Sequence, residues 1–121
     1  MTAWELRESE FWASKYKKYQ KKQPIELEAM LLNLQTCVAS LNDGRKPREL
    51  QAGFIHREPQ GVTAIDQRGA PGRPKQMRLY IYPDEDTSIV WQITIGDKSK
   101  HGQKQDLADC RKFMKHLLKD G

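Results

Sequence analysis

Met77-Arg-Leu-Tyr-Ile-Tyr82 and Ile89-Val-Trp-Gln-Ile-Thr-Ile95, separated by Pro83-Asp-Glu-Asp86, decide the fold class of this chain. Both runs are dense in β-branched and aromatic residues, and the stretch between them is turn chemistry, so they predict an antiparallel hairpin. Two shorter extended runs precede them, Gly53-Phe-Ile-His-Arg57 and Val62-Thr-Ala-Ile-Asp66, with Pro59-Gln-Gly61 as a second turn. The second half of the chain therefore begins as sheet.

Upstream the period changes from extended to helical. Leu27, Met30, Leu31, Leu34, Cys37, Val38 and Leu41 recur every three to four residues, predicting a helix over 25–41 that buries one long stripe. Pro24 suits its first turn, and Asn42-Asp-Gly44 followed by Pro47 stops it. Before it, Phe11, Trp12, Tyr16 and Tyr19 stand at helical spacing among Lys15, Lys17, Lys18, Lys21 and Lys22, predicting a basic amphipathic helix over 8–23. The two helices should form a hairpin. After the sheet, Leu107, Cys110, Phe113, Met114 and Leu117 predict a closing helix over 103–119. The expected fold class is α+β: an N-terminal helical hairpin packed on a small, mainly antiparallel β-sheet with a C-terminal helix.

A chain of 121 residues with 37% hydrophobic residues suits one core, so residues 1–121 read as a single domain. Lys and Arg outnumber Asp and Glu by 21 to 16, a net +5 that favours polyanions through counterion release. Solubilising charge gives the same total, so position has to carry the argument. Cys37 and Cys110 both fall in apolar helical patterns and read as buried thiols, which suits a cytoplasmic location. No apolar run is long enough to span a membrane, and Met1-Thr-Ala-Trp-Glu-Leu6 has no export-signal pattern. P-loop, paired-Cys zinc, His-Glu-x-x-His and nucleophile-elbow motifs are all missing from the sequence, so neither a metal nor another cofactor is expected.

Three clusters of residues could meet RNA. Alternation along 77–82 sets Met77, Leu79 and Ile81 on one face and Arg78, Tyr80 and Tyr82 on the other, where a guanidinium could grip a phosphate and tyrosine rings could stack on bases. An ordinary strand face with Arg78 paired to an acid fits the same alternation. Between the second and third extended runs, Arg68-Gly-Ala-Pro-Gly-Arg-Pro-Lys75 is a basic Gly/Pro-rich loop, either a phosphate contact or a solvated connector. After the last run, Gly96-Asp-Lys-Ser-Lys-His101 gathers Lys98, Lys100 and His101 beside Asp97. Cleavage of RNA by its own 2′-hydroxyl needs a base for that proton, cations for the phosphorane and a donor for the leaving 5′-oxygen, and this set contains such groups. His101 belongs to the loop, whereas His56 lies in the first extended run and His116 on the polar side of the last helix.

In order and content these pieces resemble the RelE/ParE superfamily of bacterial toxins, in particular its HigB-like, phage-derived branch. The resemblance rests on Phe11-Trp-Ala-Ser-Lys-Tyr-Lys-Lys-Tyr19, the Leu41-Asn-Asp-Gly44 stop, Val62-Thr-Ala-Ile-Asp-Gln-Arg68, the Tyr-flanked Arg78, the apolar strand running into Lys98 and Lys100, and Asp106-Leu-Ala108. It implies a RelE-like fold and the toxin component of a type II toxin–antitoxin system. The activity implied is a metal-independent, ribosome-dependent mRNA endoribonuclease, with the ribosome and mRNA as partners and an antitoxin protein encoded beside it. By the same resemblance Arg78, Lys98 and Lys100 would be the transition-state cations. Arg68 would contact phosphate further out, and His101 and Tyr80 would stand in as the acid–base pair. Arg73 and Lys75 in the loop, with Lys15, Lys18 and Lys22 on the first helix, would complete the RNA-binding surface. Two alternatives remain open: a non-catalytic RNA-binding module of the same fold, to which Asp97 among the cations points, and a gyrase-poisoning toxin of the ParE type.

Overall fold

The computed structural model describes residues 3–67, 77–97 and 99–120. Along the chain run β1 (Glu5–Glu8), α1 (Trp12–Lys22), α2 (Pro24–Asn42), β2 (Ile55–Arg57), β3 (Thr63–Asp66), β4 (Met77–Asp84), β5 (Ile89–Asp97) and α3 (Lys100–Asp120). The five strands form one sheet in the order β1-β5-β4-β3-β2, antiparallel throughout except that β1 runs parallel to β5. The α+β class, the helix pair, the four later strands and the closing helix thus agree with the sequence.

β1 is the element that periodicity does not announce. All four of its residues are exposed, so no apolar alternation marks it. Backbone pairing holds it instead: Glu5 to Glu8 align with Ile89 to Gln92, and Ser9 donates from its amide to the Gln92 carbonyl and from Oγ to that of Ile93. Trp4 donates its amide to Asn42 Oδ1 at 2.8 Å, tying the strand to the end of α2.

α1 and α2 meet at Gln23, whose amide closes α1 on the Tyr19 carbonyl while its own carbonyl accepts from Leu27 at the start of α2. Trp12 and Tyr19 of α1 and Leu27, Met30, Leu34, Cys37 and Leu41 of α2 pack against Ile65, Met77, Leu79, Ile81, Val90 and Ile95 of the sheet. Each fully buried apolar side chain of this kind contributes roughly 1.5–3 kcal/mol of transfer free energy. The opposite face of the sheet carries a second, smaller core in which Val62, Ala64, Tyr80 and Ile93 meet Cys110 and Met114 of α3.

That second core corrects the expectation of an open polar strand face. Tyr80 and Tyr82 do point away from Met77, Leu79 and Ile81, but α3 covers the face on which they lie, and Tyr80 is wholly inaccessible. A β-bulge between Tyr80 and Ile81, opposite Ile93, lets β5 contribute both Ile93 and Thr94 at this level. Cys37 and Cys110 are free, and they occupy the separate cores on the two sides of the sheet. Burial pushes both thiols up, to about 11 and about 12, as expected of inert cysteines.

Candidate functional site

The end of the sheet where β3 stops and β4 starts gathers the polar side chains of the α3-facing surface. Arg78 is the second residue of β4, aligned with Asp66 on β3 and Gly96 on β5. Its Nε donates to Asp66 Oδ1 at 2.9 Å, its Nη1 lies 3.8 Å from Glu58 Oε1, and the same Nη1 donates to Gln103 Oε1 of α3 at 3.4 Å. The side chain is only 11% exposed, so this cation is committed to two carboxylates and an amide. Burial works against its charge, but the hydrogen bond and charge of Asp66 more than compensate and raise its pKa. Of the two open readings of Arg78, the described residues show the one paired with an acid.

Asp66 serves a second partner. Its Oδ2 lies 2.7 Å from His56 Nε2, so one carboxylate joins a buried guanidinium to an imidazole whose side chain is 44% exposed. The pairing follows from the Pro59–Gly61 turn: it sets His56 opposite Ala64, and Asp66 is the next residue of β3 on the same face. Counting outward from Pro59-Gln-Gly61 in the sequence would have found this neighbour. In the sequence His56 stands ten residues from Asp66, and only the pairing of β2 with β3 brings the two together.

That loop is shorter than expected, because α3 begins at Lys100. Asp97 Oδ1 accepts from the Ser99 amide and from its hydroxyl. Ser99 Oγ in turn accepts from the Gly102 amide at 3.0 Å, and the Ser99 carbonyl takes the first helical bond from Gln103. Ser99 is therefore the N-cap, and Asp97 is the carboxylate that fixes it. The bonds from Ser99, aided by Lys18 and Lys15 against some burial, hold the Asp97 carboxyl below its usual range. Lys100 and His101 stand exposed on the first turn, at the helix end where anions are favoured.

Asp106, one turn further on, is buried and faces Gly96 so closely that a methyl group there would fall 1.6 Å from its Oδ2. Only a glycine lets helix and strand approach to this distance. Oδ2 has no hydrogen-bond partner among the described residues, nor do the buried hydroxyls of Tyr80 and Thr94. Lys15 Nζ is 4.0 Å from Oδ1, the nearest cation. Burial pushes Asp106 up to about 7, with Lys15 opposing. Burial and then the charge of Asp106 push the Tyr80 phenol well above its usual range, and Tyr80 has no path to solvent through which to exchange a proton with substrate.

Of the other residues expected to meet RNA, Lys15 points towards Asp106, Lys18 lies over the Tyr19 ring with 5.3 Å to its centre, and Lys22 is exposed at the end of α1. Arg68, Arg73, Lys75 and Lys98 lie outside the described residues. The structure joins Arg78 to Asp66, to Glu58 and, at the start of α3, to Gln103, and joins Asp66 in turn to His56. Comparisons of the chain with protein-family models, with curated proteins and with solved structures find no significant match. No helix among the described residues is long and apolar enough to cross a membrane.

Proposed function

We propose that the chain is the toxin of a type II toxin–antitoxin pair, a RelE-like, metal-independent endoribonuclease that cuts mRNA on the ribosome in the bacterial cytoplasm and is neutralised by an antitoxin. One observation carries the reading: Arg78 is bonded through Gln103 to the helix start that displays Lys100 and His101. Strand guanidinium, lysine and imidazole thus belong to one end of the domain, the combination that phosphodiester cleavage by an internal 2′-hydroxyl requires. In sequence, Lys98 and the basic segment from Arg68 to Lys75 attach to the same strand ends.

Inducing the intact chain in a bacterial host tests the proposal. Growth should arrest and ribosome-bound mRNA should be cut, and Lys100→Ala with His101→Ala should relieve both, since these exposed residues can be changed without disturbing a core. Arg78→Ala should relieve arrest as well, but its burial requires that the variant first be shown to fold. Sustained growth with abundant, folded wild-type protein refutes the toxin reading.

A second reading, a non-catalytic RNA-binding module, draws on a different observation. Arg78 is neutralised by Asp66 and Glu58, leaving little charge for a phosphorane. It predicts RNA binding that weakens steeply with salt and no cleavage of ribosome-bound message.

A further inference from the structure

We infer that His56 is the proton-accepting residue of this site, held for that task by Asp66. The inference rests on the ribonuclease reading above and assigns the residue that takes the 2′-hydroxyl proton in it. Tyr80 is sealed beneath α3, and among the described residues His56 is the histidine hydrogen-bonded to a carboxylate. His56 has both properties a base needs: an oriented ring and an open face.

The orientation comes from Asp66. A carboxylate only accepts, so with Asp66 Oδ2 at 2.7 Å the Nε2 of a neutral His56 carries the hydrogen and Nδ1 keeps its lone pair. Asp66 is itself fixed, because its other oxygen accepts from the Nε of Arg78 at 2.9 Å. Base, orienting acid and a third group that locks the acid thus stand in sequence across β2, β3 and β4. Asp66 and Arg78 are 13% and 11% exposed while His56 is 44% exposed, so the scaffold of this relay is buried and its working end is not. Glu58, on the same side of β2, completes the charge around Arg78. Within this relay Asp66 and Arg78 act as positioning residues for the imidazole, and His56 is the member of the three that takes the proton from the substrate.

The step balances without a co-reactant beyond water. Nδ1 of His56 takes the proton of a ribose 2′-hydroxyl as O2′ bonds to the adjacent phosphorus. The P–O5′ bond then breaks, and the 5′-oxygen departs with a proton from solvent. The products are a 2′,3′-cyclic phosphate and a 5′-hydroxyl end, and the imidazolium returns its proton to water. A general base supplies about 10²–10⁴-fold of rate.

The test compares wild type, His56→Gln and, as a control, His116→Gln, an exposed position on α3 away from this end of the sheet. Each is assayed for cleavage of ribosome-bound mRNA and for its folding transition. His56→Gln should cut at least about 100-fold more slowly with an unchanged transition, and His116→Gln should cut at the wild-type rate. A second readout does not depend on turnover. On adding an RNA oligonucleotide made uncleavable by 2′-deoxy substitution, the ring resonances of His56 should shift and those of His116 should not. Cleavage by His56→Gln at the wild-type rate, or a His56 ring unmoved while other resonances respond to the oligonucleotide, overturns the role of His56 and leaves the ribonuclease reading intact. A folded wild-type protein that cuts nothing overturns both.

Discussion

Asp106 should make the domain less stable as the pH rises through neutrality, opposite to the usual behaviour of a carboxylate. Its side chain is 3% exposed, Oδ2 has no partner among the described residues, and burial pushes it up from 3.8 to about 7. A carboxyl whose folded value lies above its unfolded value binds its proton more tightly in the folded state. Stability is therefore greatest below the unfolded value and falls as pH climbs towards the folded one. About three pH units at about 1.4 kcal/mol each give a total near 4 kcal/mol, of which about 3 kcal/mol falls between about pH 5 and about pH 8. Urea unfolding across that range reads the effect. At a slope near about 2 kcal/mol per molar the midpoint should drop by more than about 1 M on going to the higher pH. Asp106→Asn removes the titration while keeping the shape, so the variant should lose most of this pH dependence and overtake wild type on the alkaline side. A wild-type midpoint that does not move, or one that moves equally in Asp106→Asn, refutes the account.

Gly96→Ala should destabilise severely, by roughly 3 kcal/mol or more, because its methyl group would collide with the Asp106 carboxylate; Gly96→Ala with Asp106→Ala should recover part of the loss in thermal melts. Ser99→Ala removes the N-cap of α3 and should cost about 1 kcal/mol, a fall of a few degrees in Tm, with circular dichroism showing fraying at that end. Arg78→Ala leaves Asp66 and Glu58 facing each other without their cation and should cost about 3–5 kcal/mol by urea unfolding. Met114→Ala opens a cavity under Tyr80 and should cost about 2–5 kcal/mol.

The helices and β4 were legible because each buries a periodic stripe, Leu27 to Leu41 every three or four residues and Met77, Leu79 and Ile81 every two, and β2 and β3 were legible from the Pro59-Gln-Gly61 turn between them. β1 was not, since its stability comes from backbone pairing along β5 and its side chains are all exposed. The polar face of β4 was misjudged for a related reason. Period-two alternation tells which residues share a side, but the partner that covers a side is chosen by α3, and its apolar stripe at Leu107, Cys110 and Met114 had no assigned destination. Once that stripe is laid on Val62, Ala64, Tyr80 and Ile93, the burial of Tyr80 follows. At the site, alternation along β4 singled out Arg78 but left its pairing open, because the acids beside it, Asp66 and Glu58, come from other parts of the chain. Asp97 was seen as an intruder among cations, and its work on Ser99 shows why a carboxylate belongs at that position.

The positive surplus of the chain therefore acts from the periphery of the site rather than its centre. Arg78, the most buried of the cations singled out, is balanced by Asp66 and Glu58, and Lys15 is directed at Asp106. Among the described residues, exposed positive charge lies along Lys17, Lys18, Lys21 and Lys22 of α1 and Lys100, Lys104, Arg111, Lys112, Lys115 and Lys119 of α3, with more on Arg7, Arg45, Lys46, Arg48 and Arg57. Contacts of that kind hold a polyanion in register without reading its sequence. The centre, with His56 outermost and Asp66, Glu58 and Arg78 behind it, sets two carboxylates against one cation, which suits accepting a proton better than attracting a phosphate. On the ribonuclease reading, attraction and chemistry are separate jobs done by separate residues: the helices bring the backbone in, and the strand ends hold the group that acts on it.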